Sequence, residues 1–148
     1  MSNSFSGSSG LSHILLAAIF GVASVSSAFA GEWKRGEEGF RVITLEQTTD
    51  GYIEPDKIAI GCSEGLLFFE RFSPAGNAPS SLVRFRDGTE FSIQRNKLDG
   101  PNAMWAYGSL ASSIVDKLLS EETVSFQEGD NTPVVFHYQY APSIVDCH

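Results

Sequence analysis

The first thirty residues contain no Asp, Glu, Lys or Arg. All the charge lies beyond them, ten basic and eighteen acidic residues for a net charge of −8. A segment so empty of charge is a different kind of chain from the remainder. Leu11 to Val25 is apolar apart from Ser12, His13, Gly21 and Ser24, and it leads into Ala28-Phe29-Ala30. That small-x-small ending is what a signal peptidase reads, because its pocket takes only short side chains there. The apolar part is shorter than the roughly 20 residues that span a bilayer, so a cleaved export signal is favoured over a retained anchor. Cleavage is expected after Ala30, although Met1 to Gly10 lacks the usual Lys or Arg. No twin arginine precedes the apolar run, which implies the general secretory route to the periplasm. Gly31, not Cys, comes directly after the cut, which argues against a lipoprotein.

Catalytic motifs are also missing. There is no Gly-x-Ser-x-Gly, no His-Glu-x-x-His, no phosphate-binding glycine loop and no dinucleotide fingerprint. Only three histidines occur: His13 in the signal, His148 at the end and His137 in a β-prone run. A lone strand histidine is more often a surface residue than a catalyst, so a small hydrolase using His137 is a minor alternative. Glu121-Glu122 are chain neighbours and point apart. The expectation is a protein that is not an enzyme, with no cofactor and no metal site.

Cysteine is scarce too. Cys62 and Cys147 are the only two, and an even count in an exported chain reads as one disulfide. A zinc site using Cys147 and His148 is disfavoured, because adjacent ligands do not easily face one ion.

What remains, residues 31–148, is one domain's worth of chain, and it can build a core from eight of the chain's eleven Phe with both Trp and all four Tyr. Its acidity repels nucleic acid and anionic lipid and suits a cationic protein partner. The same charge also serves plain solubility. No membrane span is expected after cleavage.

Strand-like runs dominate. They cover Phe40 to Glu46, Ile58 to Cys62 and Leu66 to Phe72, the last reading as a central strand covered on both faces. Gln47 to Asp56 and Ser73 to Ser80 read as connections. Ser81 to Arg95 reads as a hairpin around Asp87-Gly88. A two-residue turn would mix both faces. A three-residue turn puts Val83, Phe85, Phe91 and Ile93 on one face and Arg84, Arg86, Glu90 and Ser92 on the other. The odd-length turn is therefore expected, with Gly88 in a left-handed conformation and Glu90 opposite Arg84 or Arg86. After the loop Asn96 to Asn102, Met104 to Tyr107 is another β-prone piece. Leu110, Ile114 and Leu118, with Val115 and Leu119 beside them, then mark one amphipathic helix over Ser109 to Glu121, with Ser109 as N-cap. Val124 to Phe126 and Val134 to Tyr140 close the chain as a strand pair. The fold class expected is α+β and β-dominated, a small antiparallel sheet or sandwich of six to eight strands with one packed helix.

This layout resembles the VasI-type accessory proteins of type VI secretion. The residues that carry the likeness are Cys62 at a strand end, Val83-Arg84-Phe85-Arg86-Asp87, Trp105, the helix, the strand Val134 to Tyr140, and Cys147. The resemblance implies a small periplasmic β-rich domain with an accessory, non-catalytic role. In size and habit the chain is also similar to bacterial inhibitors of lysozyme and related peptidoglycan hydrolases, without the Ser-Gly-x-x-Tyr loop of the c-type inhibitors. Such targets are often basic and carry carboxylates in their clefts. That implies a basic loop residue as the probe, Lys97 or Arg95, with the Arg84/Arg86/Glu90 strand as a further contact.

Overall fold

The computed structural model describes residues 30–35, 42–139 and 147. The expected signal segment falls outside them except for Ala30. So do Phe40 and Arg41 of the first expected strand and Tyr140 of the last.

Nine strands and one helix occur in the order β1 (Lys34–Arg35), β2 (Val42–Gln47), β3 (Asp56–Ser63), β4 (Leu66–Phe72), β5 (Ser80–Phe85), β6 (Glu90–Gln94), β7 (Ala103–Tyr107), α1 (Gly108–Ser120), β8 (Thr123–Gln127) and β9 (Val134–His137) among the described residues. They form two antiparallel sheets, ordered β1-β2-β3-β4-β7 and β6-β5-β8-β9. The β-dominated class with a single helix is as the sequence indicates. The strand not anticipated is β1, two exposed residues too short to show any alternation.

Alternation explains the sandwich. In the five-stranded sheet Ile43, Leu45, Ile58, Ile60, Phe69, Met104 and Ala106 turn inward. Val83, Phe85, Ile93, Val124, Phe126 and Phe136 meet them from the other sheet. Fully burying each of the larger of these side chains contributes about 1.5–3 kcal/mol.

The hairpin has the odd-length turn. Val83 pairs with Phe91 and Arg84 with Glu90, leaving Arg86-Asp87-Gly88 as the connection. Gly88 has φ +89°, a left-handed conformation that costs glycine nothing. The Gly88 amide donates to the Phe85 carbonyl at 3.0 Å, and the Phe85 amide to the Thr89 carbonyl at 2.9 Å.

The helix start differs from expectation. Strand β7 runs straight into α1 through Gly108 at φ +61°, so no separate capping residue intervenes. Tyr107 is the N-cap, without a side-chain bond, and Ser109 lies in the first turn with its carbonyl accepting from Ser113 Oγ at 2.9 Å. Ala111, Ile114 and Leu118 form the buried stripe, with Leu110 and Val115 at its rim. The helix packs against β4 and β7 at the end of the sandwich that holds the 86–88 turn, where Lys117 pairs with Asp87. Tyr138 hydroxyl donates to the Leu118 carbonyl at 2.9 Å, and burial pushes its pKa well above the ordinary value.

Four connections gather at the opposite end, 48–55, 73–79, 95–102 and 128–133. On one flank Gly31 donates to the His137 carbonyl at 2.7 Å and bridges Tyr138, while Lys34 and Arg35 pair with β2. Residues 31–35 thus join the edge of one sheet to the edge of the other.

Candidate binding site

The interior holds three charges that the sequence did not single out. Arg71 Nε donates to Glu128 Oε1 at 2.9 Å, and its Nη2 to Asp56 Oδ1 at 2.5 Å. Ser81 Oγ donates to Glu128 at 2.9 Å, and Thr49 Oγ1 donates to Asp56. The guanidinium lies over the rings of Phe126 and Phe136 at 4.8 and 5.5 Å. Arg71, Asp56, Glu128 and Ser81 are all buried and partnered, so the cluster joins the sheets and offers nothing to a ligand. Period-2 counting could have found Arg71, which shares the inward face of β4 with Leu67 and Phe69.

The sequence-based candidates separate into two groups. Arg84, Arg86 and Glu90 belong to the hairpin. Arg84 Nε and Glu90 Oε1 meet at 2.7 Å on the outer face of the four-stranded sheet, about half exposed, and such pairs contribute under about 1 kcal/mol. Arg86 is exposed in the turn. Arg95 and Lys97 lie at the other end of the sandwich, so the five residues do not form one site.

Arg95 is a brace. Its Nε donates to the Ala78 carbonyl at 2.7 Å, and Nη1 to the carbonyls of Gly100 and Ala103 at 2.7 and 3.0 Å. Asn96 and Asp99 lock the turn between them. Asp99 accepts from the Asn96 amide at 2.8 Å, Asn96 Oδ1 from the Leu98 amide at 3.3 Å, and the Asn96 carbonyl from the Asp99 amide at 3.0 Å. The loop also accepts from the neighbouring connection, Ser73 N to Asn102 O at 2.8 Å and Asn77 N to Pro101 O at 3.2 Å. On this held loop Lys97 is exposed, and Leu98 keeps 92% of its surface in water. Ile53 is fully exposed on loop 48–55 at the same end, with Tyr52 half exposed beside it. Asp56 and Ala103, where the two loops join the sheet, are two strand spacings apart, about 10 Å.

His137 sits on the outer face of β9, and its ring makes no hydrogen bond with a described residue. Cys62 and Cys147 are bonded, with Cα atoms 5.4 Å apart. Among the described residues no cluster of His, Cys, Asp or Glu could hold a metal ion, and no helix is long and apolar enough to cross a membrane. No family model matches the chain, and neither the curated proteins nor the solved structures contain a match.

Proposed function

We propose that this chain is a non-enzymatic module of the periplasm that grips a protein partner with its loop end. In its sharpest form it inhibits or regulates a basic peptidoglycan hydrolase, a lysozyme or lytic transglycosylase. The observation that carries this reading is the exposure of Leu98 next to Lys97 on a loop braced by Arg95 and the Asn96–Asp99 turn. An exposed leucine on a loose loop means little. On a preorganised loop it can enter a pocket with little ordering cost. Lys97 then supplies a cation for an acidic cleft, and the net charge of −8 steers a basic partner inward.

The test is inhibition of lysozyme and of a lytic transglycosylase by residues 31–148, with affinities measured at low and high salt. The reading expects a salt-sensitive complex weakened by Lys97→Ala and Leu98→Ala. Absence of binding to either enzyme overturns the hydrolase form. The VasI-like order of Cys62, the Arg84–Arg86 strand, Trp105, helix and Cys147 supports a second reading, an accessory role in type VI secretion. Recovery of secretion components in a periplasmic pull-down favours that one.

A further inference from the structure

The outer face of the five-stranded sheet carries a row of residues that the core does not explain. Alternation places Lys57, Phe68, Glu70, Phe72, Trp105 and Tyr107 there together. Glu70 lies directly across from Trp105, and Phe68 across from Tyr107. The rings of Phe68 and Trp105 are 5.2 Å apart, and those of Trp105 and Tyr107 6.2 Å with planes within 10° of parallel. Tyr107 is half exposed.

Glu70 is the anomaly. Glu70 is partly buried on this face, across from Trp105, and its carboxyl makes no hydrogen bond or ion pair with a described residue. Burial pushes its pKa up, and Lys57 pulls it only part of the way back. Lys57 itself stands over Phe72, 5.4 Å from the ring centroid. A partly desolvated carboxylate that lacks a direct hydrogen bond among the described residues costs free energy, and an incoming positive charge relieves that cost. Aromatic faces are negative and attract cations, more strongly where water is excluded. Among the described residues no cation stands over Trp105 or Tyr107.

We propose that this face seats an arginine side chain of a basic protein partner, its guanidinium stacked on Trp105 and Tyr107 with its charge against Glu70. The inference rests on the protein-partner reading above and adds the chemistry of a second contact. Charge complementarity favours it, since an acidic domain draws basic partners. A planar guanidinium stacks on rings better than an ammonium does. Strand β7 leaves the Lys97 loop at Ala103 and reaches Tyr107 four residues later, about 13 Å on, so one partner can touch both.

The experiment needs no partner. The chain has only two tryptophans, so the Trp105 indole N–H is one of two such signals in a nitrogen–proton correlation spectrum. Three probes are titrated: N-acetylarginine methylamide, its uncharged isostere N-acetylcitrulline methylamide, and chitotriose. The arginine probe is expected to shift Trp105 and the citrulline probe to leave it in place. Glu70→Gln is expected to weaken arginine binding about fivefold or more, as loss of about 1 kcal/mol implies. Asp116→Asn, at an exposed helix position away from this face and from the loop end, is expected to leave arginine binding unchanged. Equal response to citrulline, response to chitotriose alone, an unchanged affinity in Glu70→Gln, or no shift with any probe overturns the proposal. Failure here leaves the inhibition assay standing, and failure of inhibition leaves this titration standing.

Discussion

Arg71 on β4 and Glu128, just past the end of β8 in the other sheet, lie 57 residues apart, and their side chains meet at 2.9 Å inside the core. With Asp56 on the other side, one guanidinium binds the two layers together. Arg71→Ala leaves two buried carboxylates without their cation and is expected to lower stability by about 3–5 kcal/mol. Urea denaturation measures it. Replacing Asp56, Arg71 and Glu128 together by apolar residues of similar volume is expected to recover most of that loss. A triple variant as unstable as the single one would show that the cluster does more than satisfy itself.

Asp87 titrates low. The hydrogen bond from Lys117, and then the one from the Thr89 amide, hold its carboxyl down at about 2. A lowered pKa stabilises the fold above the unfolded value, and the benefit is lost as pH falls through the folded one. Lys117→Met is therefore expected to raise the Asp87 midpoint toward the ordinary 3.8, read by carboxyl NMR. An unmoved midpoint would give the shift to the turn backbone alone.

Glu70 has the opposite sign. Its raised pKa means that the folded state holds the proton more tightly than the unfolded state does. That contribution to stability is present below the unfolded pKa and lost as pH rises through the folded one. Glu70→Gln is thus expected to be neutral or stabilising in thermal melts at pH 7. A clear loss of stability would mark Glu70 as a structural residue.

The Cys62–Cys147 bond ties the tail to the end of β3. Changing both to Ser is expected to cost about 2–5 kcal/mol, measured by denaturation of the double variant against the oxidised protein.

Whether a feature is legible in the sequence depends on the range of the interaction behind it. The hairpin register is readable from Val83, Phe85, Phe91 and Ile93, because a one-residue slip turns every side chain over. The helix is readable from its period, but its cap is not, since Ser109 is a good capping residue at a place where β7 leaves no gap. The Arg71 cluster is not readable. Asp56 and Glu128 sit at strand ends among polar residues, and only the facing of the two sheets brings them to one guanidinium. Lys97 is legible as an exposed loop charge. Arg95 is not legible as a brace, because its acceptors are carbonyls of three separate residues. The outer aromatic row needs strand order, which places β7 beside β4 although β5 and β6 intervene in the chain.

The disulfide partners are separated by 85 positions, and β4 through β9 all fall between them. A chain synthesised from its N-terminus presents Cys62 as a thiol before Cys147 has been added. By then both sheets can assemble, and assembly is what brings the two Cα atoms to 5.4 Å. Cys62 therefore waits as a thiol while residues 63–146 are added, and the bond can close only after Cys147 has joined the chain.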